Sequence, residues 1–203
     1  MYAGSPAFVL GFHGCDEEIG EAILASGDAN LTHSENDYDW LGSGCYFWEN
    51  DADRAREFAR EMQGRSRRRG KPITKPFVLG AVIDLGHCLN LLDRQALALV
   101  QEEYTNVSLA FAAVGQQLPV NAPLRGTHDL VFRRLDRAVI ESVHAANKRK
   151  ELPEYDSVRA VFVEGDQLYP GAGFHSKNHI QICIRKPQRI LAYFRPRSHF
   201  TST

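Results

Sequence analysis

The strictest pattern in the sequence lies near its end, where apolar and polar residues alternate. Residues 179–185 read HIQICIR, so three isoleucines fall on one face of an extended strand and the polar side chains on the other. A strand-like run at 158–163 precedes this segment, and another at 190–194 follows a proline turn. The isoleucine face must pack against a core, whereas the polar face is either open to solvent or the wall of a cleft. The end of the chain therefore predicts part of a sheet.

Earlier in the chain, single strands are separated by helices. Strands are expected at 8–14, 45–48 and 77–85. Four helices are expected to begin after residues of types that favour the N-cap, namely Asp16, Asn50 or Asp51, Asp93 and Thr127. A further short helix is expected at 107–118. This irregular order favours an α+β fold over a regular βαβ alternation. No G-x-G-x-x-G segment or P-loop motif occurs, which argues against a Rossmann domain and a P-loop NTPase.

Composition and charge narrow the class of protein. The 203 residues include 43% hydrophobic side chains, which suits one globular domain spanning residues 1–203. The formal net charge of -1 gives no general attraction to nucleic acid or to an anionic membrane. With no secretory leader and no apolar run of the roughly 20 residues that a membrane span needs, the expected location is the cytoplasm. Zinc-ligand spacing is absent among the cysteines, so reduced thiols and no metal site are expected for Cys15, Cys45, Cys88 and Cys183.

Three segments combine residue types that suit ligand binding. His13 is followed by Gly14 at the end of the first strand, where a residue without a side chain lets a ligand approach the backbone. Residues 38–49 read YDWLGSGCYFWE, in which two glycines precede aromatic rings able to stack on a flat ligand. The third segment is the polar face of residues 179–185. Each also has a plain structural interpretation, namely a strand-end histidine, an aromatic core below a turn, and solvent exposure, so none alone names a reaction.

Taken together, the three segments resemble the diphtheria-toxin-like and poly(ADP-ribose)-polymerase-like branch of the ADP-ribosyltransferases. That family carries a His-Gly strand, then a Gly-x-Gly-x-Tyr strand followed by a helix, then a late strand with a glutamate or a substitute. Residues 12–14 match the first part and residues 42–47 match the second, and Gln181 falls where the third is expected. Within the second part, the resemblance implies that Gly44 lines the NAD site. Residues 38–42 also resemble small bacterial members, some of which act as toxins or in anti-phage defence.

The resemblance implies an α+β fold in which two packed, mostly antiparallel sheets form an NAD cleft flanked by helices. His13 would bind the adenosine-side ribose of NAD, and the backbone of Gly14 would bind the nicotinamide carboxamide. Tyr46 would stack on the nicotinamide ring, with Tyr38 or another aromatic residue opposite. Gln181 would hold the 2′-hydroxyl of the nicotinamide ribose. His13, Tyr46 and Gln181 are thus the predicted catalytic residues.

A glutamine at the third position departs from the usual glutamate. Breaking the bond to nicotinamide leaves an oxocarbenium-like sugar, which a carboxylate stabilises by charge and an amide meets only with a dipole and hydrogen bonds. Because Gln181 can orient a hydroxyl group but cannot act as a base, transfer of a single ADP-ribose is expected rather than polymer growth. Glu164 follows the preceding strand and either supplies the missing carboxylate or belongs to a surface turn.

The predicted activity is therefore NAD-dependent mono-ADP-ribosyl transfer, without a metal, to a macromolecular acceptor that is either nucleic acid or protein. Basic residues 65–71 predict an exposed loop that contacts phosphates or is merely solvated, and residues 171–177 are a candidate acceptor-recognition loop. A toxin would have an antitoxin or immunity protein as a further partner. Two alternatives stay open: an NAD-dependent RNA 2′-phosphotransferase on the same fold, and a non-catalytic module that binds NAD, ADP-ribose or a protein.

Overall fold

The computed structural model describes residues 8–65 and 72–197, which form nine strands and four α-helices. In chain order they are β1 Val9–Asp16, α1 Glu17–Ala25, β2 Cys45–Glu49, α2 Ala52–Glu61, β3 Pro76–Ile83, β4 Cys88–Asn90, α3 Arg94–Ala113, β5 Asn121–Ala122, β6 Phe132–Arg133, α4 Arg134–Arg149, β7 Ser157–Phe162, β8 His179–Ile184 and β9 Ile190–Phe194. All six strands predicted from the sequence are present within two residues of their expected bounds. The predicted basic loop lies outside the described residues from residue 66 to residue 71.

Seven strands form one sheet in the order β4-β7-β8-β2-β1-β3-β9, and β5 pairs with β6 in a separate ribbon. The predicted α+β class is confirmed, and every pairing in the large sheet is antiparallel except that of β4 with β7. The prediction of two packed sheets is wrong, because the strands expected in two sheets belong to one seven-stranded sheet. The reason is that β2 pairs with β1 along one edge and with β8 along the other, which joins both halves into one sheet.

The antiparallel pairing that joins β1 to β2, which we call the joint, is short. It comprises two residue pairs, Gly11 with Glu49 and Phe12 with Trp48, whereas β1 pairs with β3 over eight residues. Trp48 in turn pairs with Gln181 of β8. Because directly paired residues project to the same face of a sheet, Phe12, Trp48 and Gln181 share one face.

Both faces of the sheet are covered by core. The face opposite Trp48 carries the largest cluster, including the fully buried Phe47, Leu79 and Ile182. The Trp48 face carries a second cluster of helix, loop and strand residues, to which Cys183 contributes, and a small third cluster around Trp48 itself. Strand β8 therefore alternates as predicted, but at Cys183 its polar face packs on a second core rather than on solvent.

Local cap signals place three of the helices. The side chains of Asp16, Asp51 and Asp93 accept backbone hydrogen bonds at the starts of α1, α2 and α3, as expected for this residue type. The predicted break in the third helix is absent, because α3 runs uninterrupted over Arg94–Ala113 and absorbs most of the separate helix expected at 107–118.

The start of the fourth helix differs from the prediction. Thr127 does not cap it, because its hydroxyl donates to the Leu124 carbonyl within a turn and accepts from the Asp129 amide. Helix α4 begins at Arg134, where the side-chain oxygen of Asn121 accepts from the amides of residues 135 and 136. The cap is thus supplied from thirteen residues before the helix begins. Within the described ranges, no helix has both the length and the apolar character to cross a membrane.

Candidate functional site

The three segments singled out in the sequence lie on three adjacent strands. His13 and Gly14 are in β1, Tyr46 is in β2 and Gln181 is in β8, and these strands neighbour one another in the order β8-β2-β1. Residues that are more than 130 positions apart in sequence are therefore brought to one part of the sheet. All three proposed catalytic side chains are partly exposed, although the ring of Tyr46 packs against the core cluster on the Trp48 face.

His13 bridges β1 and β2 where their ladder ends. Its Nδ1 lies 2.8 Å from the backbone carbonyl oxygen of Tyr46, and because a carbonyl only accepts, Nδ1 carries the proton. The imidazole also meets the ring of Phe47 edge-on, with 5.9 Å between centroids. By strand alternation, the side chains of His13 and Tyr46 project from opposite faces. The predicted triad is therefore connected through the backbone of β2 rather than by direct contact of its three side chains.

Close packing accounts for the two glycines assigned to NAD binding. A Cβ at Gly14 would lie 2.3 Å from the backbone oxygen of Ala55, because α2 crosses β1 there. A Cβ at Gly44 would lie 2.5 Å from the backbone oxygen of Ile184 in β8. Both positions require glycine for the approach of two backbones, whether or not a ligand also uses the space.

The hydroxyl of Tyr46 fixes the segment that precedes β2. It accepts from the amide of Leu41 at 3.0 Å and donates to the carbonyl of Gly42 at 2.8 Å. Burial raises the pKa of Tyr46 well above its ordinary value, so the hydroxyl stays protonated. Tyr38, the other predicted stacking residue, packs edge-on against Phe132 of β6, with 5.6 Å between ring centroids.

The turn at residues 42–44 is also held from α4. Glu141 accepts a hydrogen bond from the amide of Ser43 at 2.6 Å, and Arg185 lies 3.6 Å from the Glu141 carboxylate. Gly42 has a φ of +86°, a backbone conformation that favours glycine. These contacts position the turn to which the hydroxyl of Tyr46 is bonded.

Gln181 is held by an aromatic stack. Its side-chain oxygen accepts a hydrogen bond from the indole Nε1 of Trp40 at 2.6 Å. The guanidinium of Arg133 lies 3.8 Å from the centroid of that indole ring, within cation–π range. The acceptor oxygen of Gln181 therefore has a fixed direction, set by a residue 141 positions earlier in the chain.

Glu164, the candidate helper carboxylate, is paired with an arginine that the sequence analysis missed. Arg54 of α2 is 6% exposed, and its Nη2 lies 2.8 Å and 2.9 Å from the two carboxylate oxygens. His179 of β8 lies 3.8 Å from the same carboxylate. The available signal was the spacing of Arg54 and Phe58, which puts a cation on the apolar stripe of α2.

The predicted site coincides with neither a cluster of metal ligands nor either of two surface cavities formed by the described residues. Among residues 8–65 and 72–197, no group of three or more histidine, cysteine, aspartate or glutamate side chains could hold a metal ion. One cavity of about 290 Å³ lies between the end of α1 and β9, and another of about 300 Å³ lies between β4 and the start of α3. His13, Tyr46 and Gln181 line neither of these two cavities.

Comparison with known proteins adds no assignment, since no protein-family model, no curated protein and no solved structure matches this chain. Any functional inference therefore depends on the residues of β1, β2 and β8 and their surroundings.

Proposed function

We propose that the chain is an NAD-dependent mono-ADP-ribosyltransferase. The reaction breaks the bond between nicotinamide and ribose in NAD, forms a bond from that ribose carbon to a macromolecular acceptor, and releases the acceptor's proton. One observation carries the proposal: the His-Gly, Gly-x-Gly-x-Tyr and glutamine segments lie on adjacent strands in the order β1, β2, β8. Tyr46 and Gln181 project from the same face of these strands, where the nicotinamide half of NAD would bind, while His13 meets the backbone of Tyr46.

The contacts of each residue refine its proposed role. The hydroxyl of Tyr46 is engaged by Leu41 and Gly42, so a contact with nicotinamide would be made by the ring. The amide oxygen of Gln181 accepts from Trp40, which fixes the side chain that would hold the ribose 2′-hydroxyl. We expect these residues to act by orienting NAD rather than by transferring protons.

The chemistry requires little acid–base catalysis. Nicotinamide leaves from a cationic pyridinium and departs neutral, so no strong acid is needed, and the oxocarbenium-like sugar is the species to stabilise. Glu164 is the candidate anion that the sequence suggested, but its charge is offset by Arg54 at 2.8 Å. A neutral glutamine with a compensated carboxylate favours one transfer over chain elongation.

The test is incubation of the purified chain with NAD labelled in the adenylate half, with and without cell lysate. We expect the label to appear on macromolecules with the wild type, and on the order of 100-fold less with Gln181→Ala, because misplacing the ribose disrupts the reacting geometry. Nuclease and protease treatment of the product then identifies the acceptor as nucleic acid or protein. Gln188→Ala, a change at an exposed glutamine, serves as the matched control.

His13 is tested with two substitutions because it has a structural contact. His13→Asn retains a donor for the Tyr46 carbonyl, while His13→Ala removes it. Loss of label transfer in both variants, with unchanged thermal unfolding in His13→Asn, supports a role in NAD binding. Binding of NAD without release of nicotinamide would favour the hypothesis of a non-catalytic binding module. Transfer of a 2′-phosphate from RNA would favour the phosphotransferase hypothesis.

A further inference from the structure

A buried polar cluster lies on the Trp48 face of the sheet. It consists of Trp48 in β2, Arg54 in α2, Glu164 after β7 and His179 in β8, and we call it the Trp48 cluster. Trp48, Arg54 and His179 are 5%, 6% and 7% exposed, and Trp48 is the strand partner of Gln181. Two parts of the chain that are 110 positions apart therefore bury polar groups at one point.

Direct contacts join the four side chains. Arg54 binds Glu164 through Nη2 at 2.8 Å and 2.9 Å and through Nε at 3.3 Å. The guanidinium carbon of Arg54 lies 5.7 Å from the centroid of the Trp48 ring, and the rings of Trp48 and His179 are 6.1 Å apart. His179 in turn stacks on Phe162, with 5.3 Å between centroids.

Three buried nitrogen atoms in this cluster have no hydrogen-bond partner within the described part of the chain. They are Nε1 of Trp48, Nη1 of Arg54 and Nε2 of His179. Buried polar atoms without a partner are rare in folded proteins, and each such atom calls for an explanation. Here the three atoms belong to residues that contact one another, which motivates the inference of a site that a further group completes.

The three atoms offer two donors and one acceptor. Tryptophan and arginine nitrogens only donate. Nδ1 of His179 donates to the carbonyl oxygen of Lys177 at 2.7 Å, which leaves Nε2 with a lone pair when the ring is neutral. Burial lowers the pKa of His179, which favours that neutral form. A bound group must therefore both accept and donate hydrogen bonds.

The surrounding charges disfavour an anion. Arg54 is neutralised by Glu164 and also lies 3.8 Å from Glu61, and Lys177 is paired with Glu61 at 2.7 Å. The two cations and the two carboxylates balance, so no net positive charge remains to attract a phosphate or carboxylate. The occupant that fits this balance is uncharged.

We infer that the Trp48 cluster binds a neutral group that carries a hydrogen-bond acceptor and a donor on neighbouring atoms, as in a primary carboxamide or a vicinal diol. The segment from Glu164 to Lys177 is bonded to α2 at both ends, through Arg54 and Glu61. Binding here is independent of the proposed transferase activity, because it is measured without cleavage of NAD.

The test uses the two tryptophans of the chain as reporters. In ¹⁵N-labelled protein, the Trp48 indole resonance, assigned with Trp48→Phe, is followed during titration with nicotinamide, methyl ribofuranoside and nicotinate. A saturable shift with nicotinamide that is weakened in His179→Phe identifies the group as a carboxamide, and such a shift with methyl ribofuranoside identifies it as a diol. We expect nicotinate, the charged analogue, to bind at least ten-fold more weakly than the better neutral probe.

Variants then assign the binding to the cluster. His179→Phe keeps a ring for stacking on Phe162 but removes the acceptor, and we expect about ten-fold weaker binding by calorimetry, since a buried group of the ligand is left unpaired. His144→Phe is the matched control, because His144 is also buried with an unpartnered Nε2 but packs against Tyr155 instead. We expect it to bind the probe like the wild type.

Two results would overturn the inference. One is the absence of any shift of the Trp48 resonance with either neutral probe. The other is binding of nicotinate as tight as that of the neutral probes. Both comparisons use the wild-type chain and hold even where a variant unfolds. Cleavage of NAD without probe binding would remove this inference alone, and probe binding without cleavage would remove the proposed activity alone.

Discussion

Asp16 accepts hydrogen bonds from the amides of Glu18, Thr74 and Lys75 and from the hydroxyl of Thr74, at 2.7 to 3.0 Å. It therefore caps α1 and also anchors the chain just before β3. The bonds from Lys75 and Thr74 stabilise the ionised form and hold the pKa of Asp16 below its ordinary value of 3.8. At the scale of one residue, a single carboxylate ties two elements that are almost sixty positions apart.

We predict that Asp16→Asn lowers the free energy of unfolding at neutral pH by about 2 kcal/mol, because the cap and the charged acceptor are both weakened. Since the pKa is lowered in the folded state, the stabilisation is fully present above 3.8 and is lost as the pH falls through the folded value. Urea unfolding of the wild type and of Asp16→Asn, at pH 7 and below pH 3, measures the difference in their free energies of unfolding. A difference that stays constant across the range would contradict the assignment.

Tyr46 provides a second test at this scale. Tyr46→Phe keeps the ring but leaves the Leu41 amide and the Gly42 carbonyl without their partner, so we expect a loss of about 1–3 kcal/mol in the free energy of unfolding. Tyr104→Phe, at a tyrosine that is 43% exposed, is the control and should change stability by less than about 0.5 kcal/mol. Equal effects in chemical denaturation would show that the hydroxyl does not hold the loop.

Some residue roles could not be predicted from the sequence. Gly14 and Gly44 were assigned to the approach of a ligand, whereas the structure shows each packed against a backbone oxygen of another element. Which element crosses a glycine depends on tertiary packing, and no local pattern encodes it. The burial of Arg54 depends in the same way on Glu164, 110 residues later.

At the scale of elements, α2 crosses β1 closely at Gly14, beside the candidate site. We predict that Gly14→Ala lowers the free energy of unfolding by about 1–3 kcal/mol, because the added Cβ would lie 2.3 Å from the Ala55 carbonyl oxygen and α2 must shift. Gly27→Ala is the matched control, since a Cβ there meets nothing within 4 Å. Thermal unfolding of the two variants should differ, and equal midpoints would contradict this account of the crossing.

Elements with local start signals were predictable, and those with distant signals were not. Helices α1, α2 and α3 begin after aspartates whose side chains cap them, so the sequence alone located their starts. Helix α4 is capped by Asn121 from a separate ribbon, so the prediction that Thr127 caps it is wrong. A cap supplied from another element has no signature at the helix itself.

At the scale of the molecule, the α+β class followed from the order of the elements, but the single sheet did not. Strand alternation identifies which residues share a face, yet it does not state which strands are neighbours. The joint between β1 and β2 rests on two residue pairs, and the His13 bond to the Tyr46 carbonyl continues it. That long-range pairing brings the three candidate segments together and could only be obtained from the structure.

The proposed activity depends on this arrangement, and release of nicotinamide from NAD tests it most directly. Chromatography of the reaction of wild-type chain and NAD over time should show free nicotinamide accumulating, with a rate lowered on the order of 100-fold in Gln181→Ala and unchanged in Gln188→Ala. Intact NAD in the presence of the folded wild-type chain, with and without lysate, would contradict the central claim.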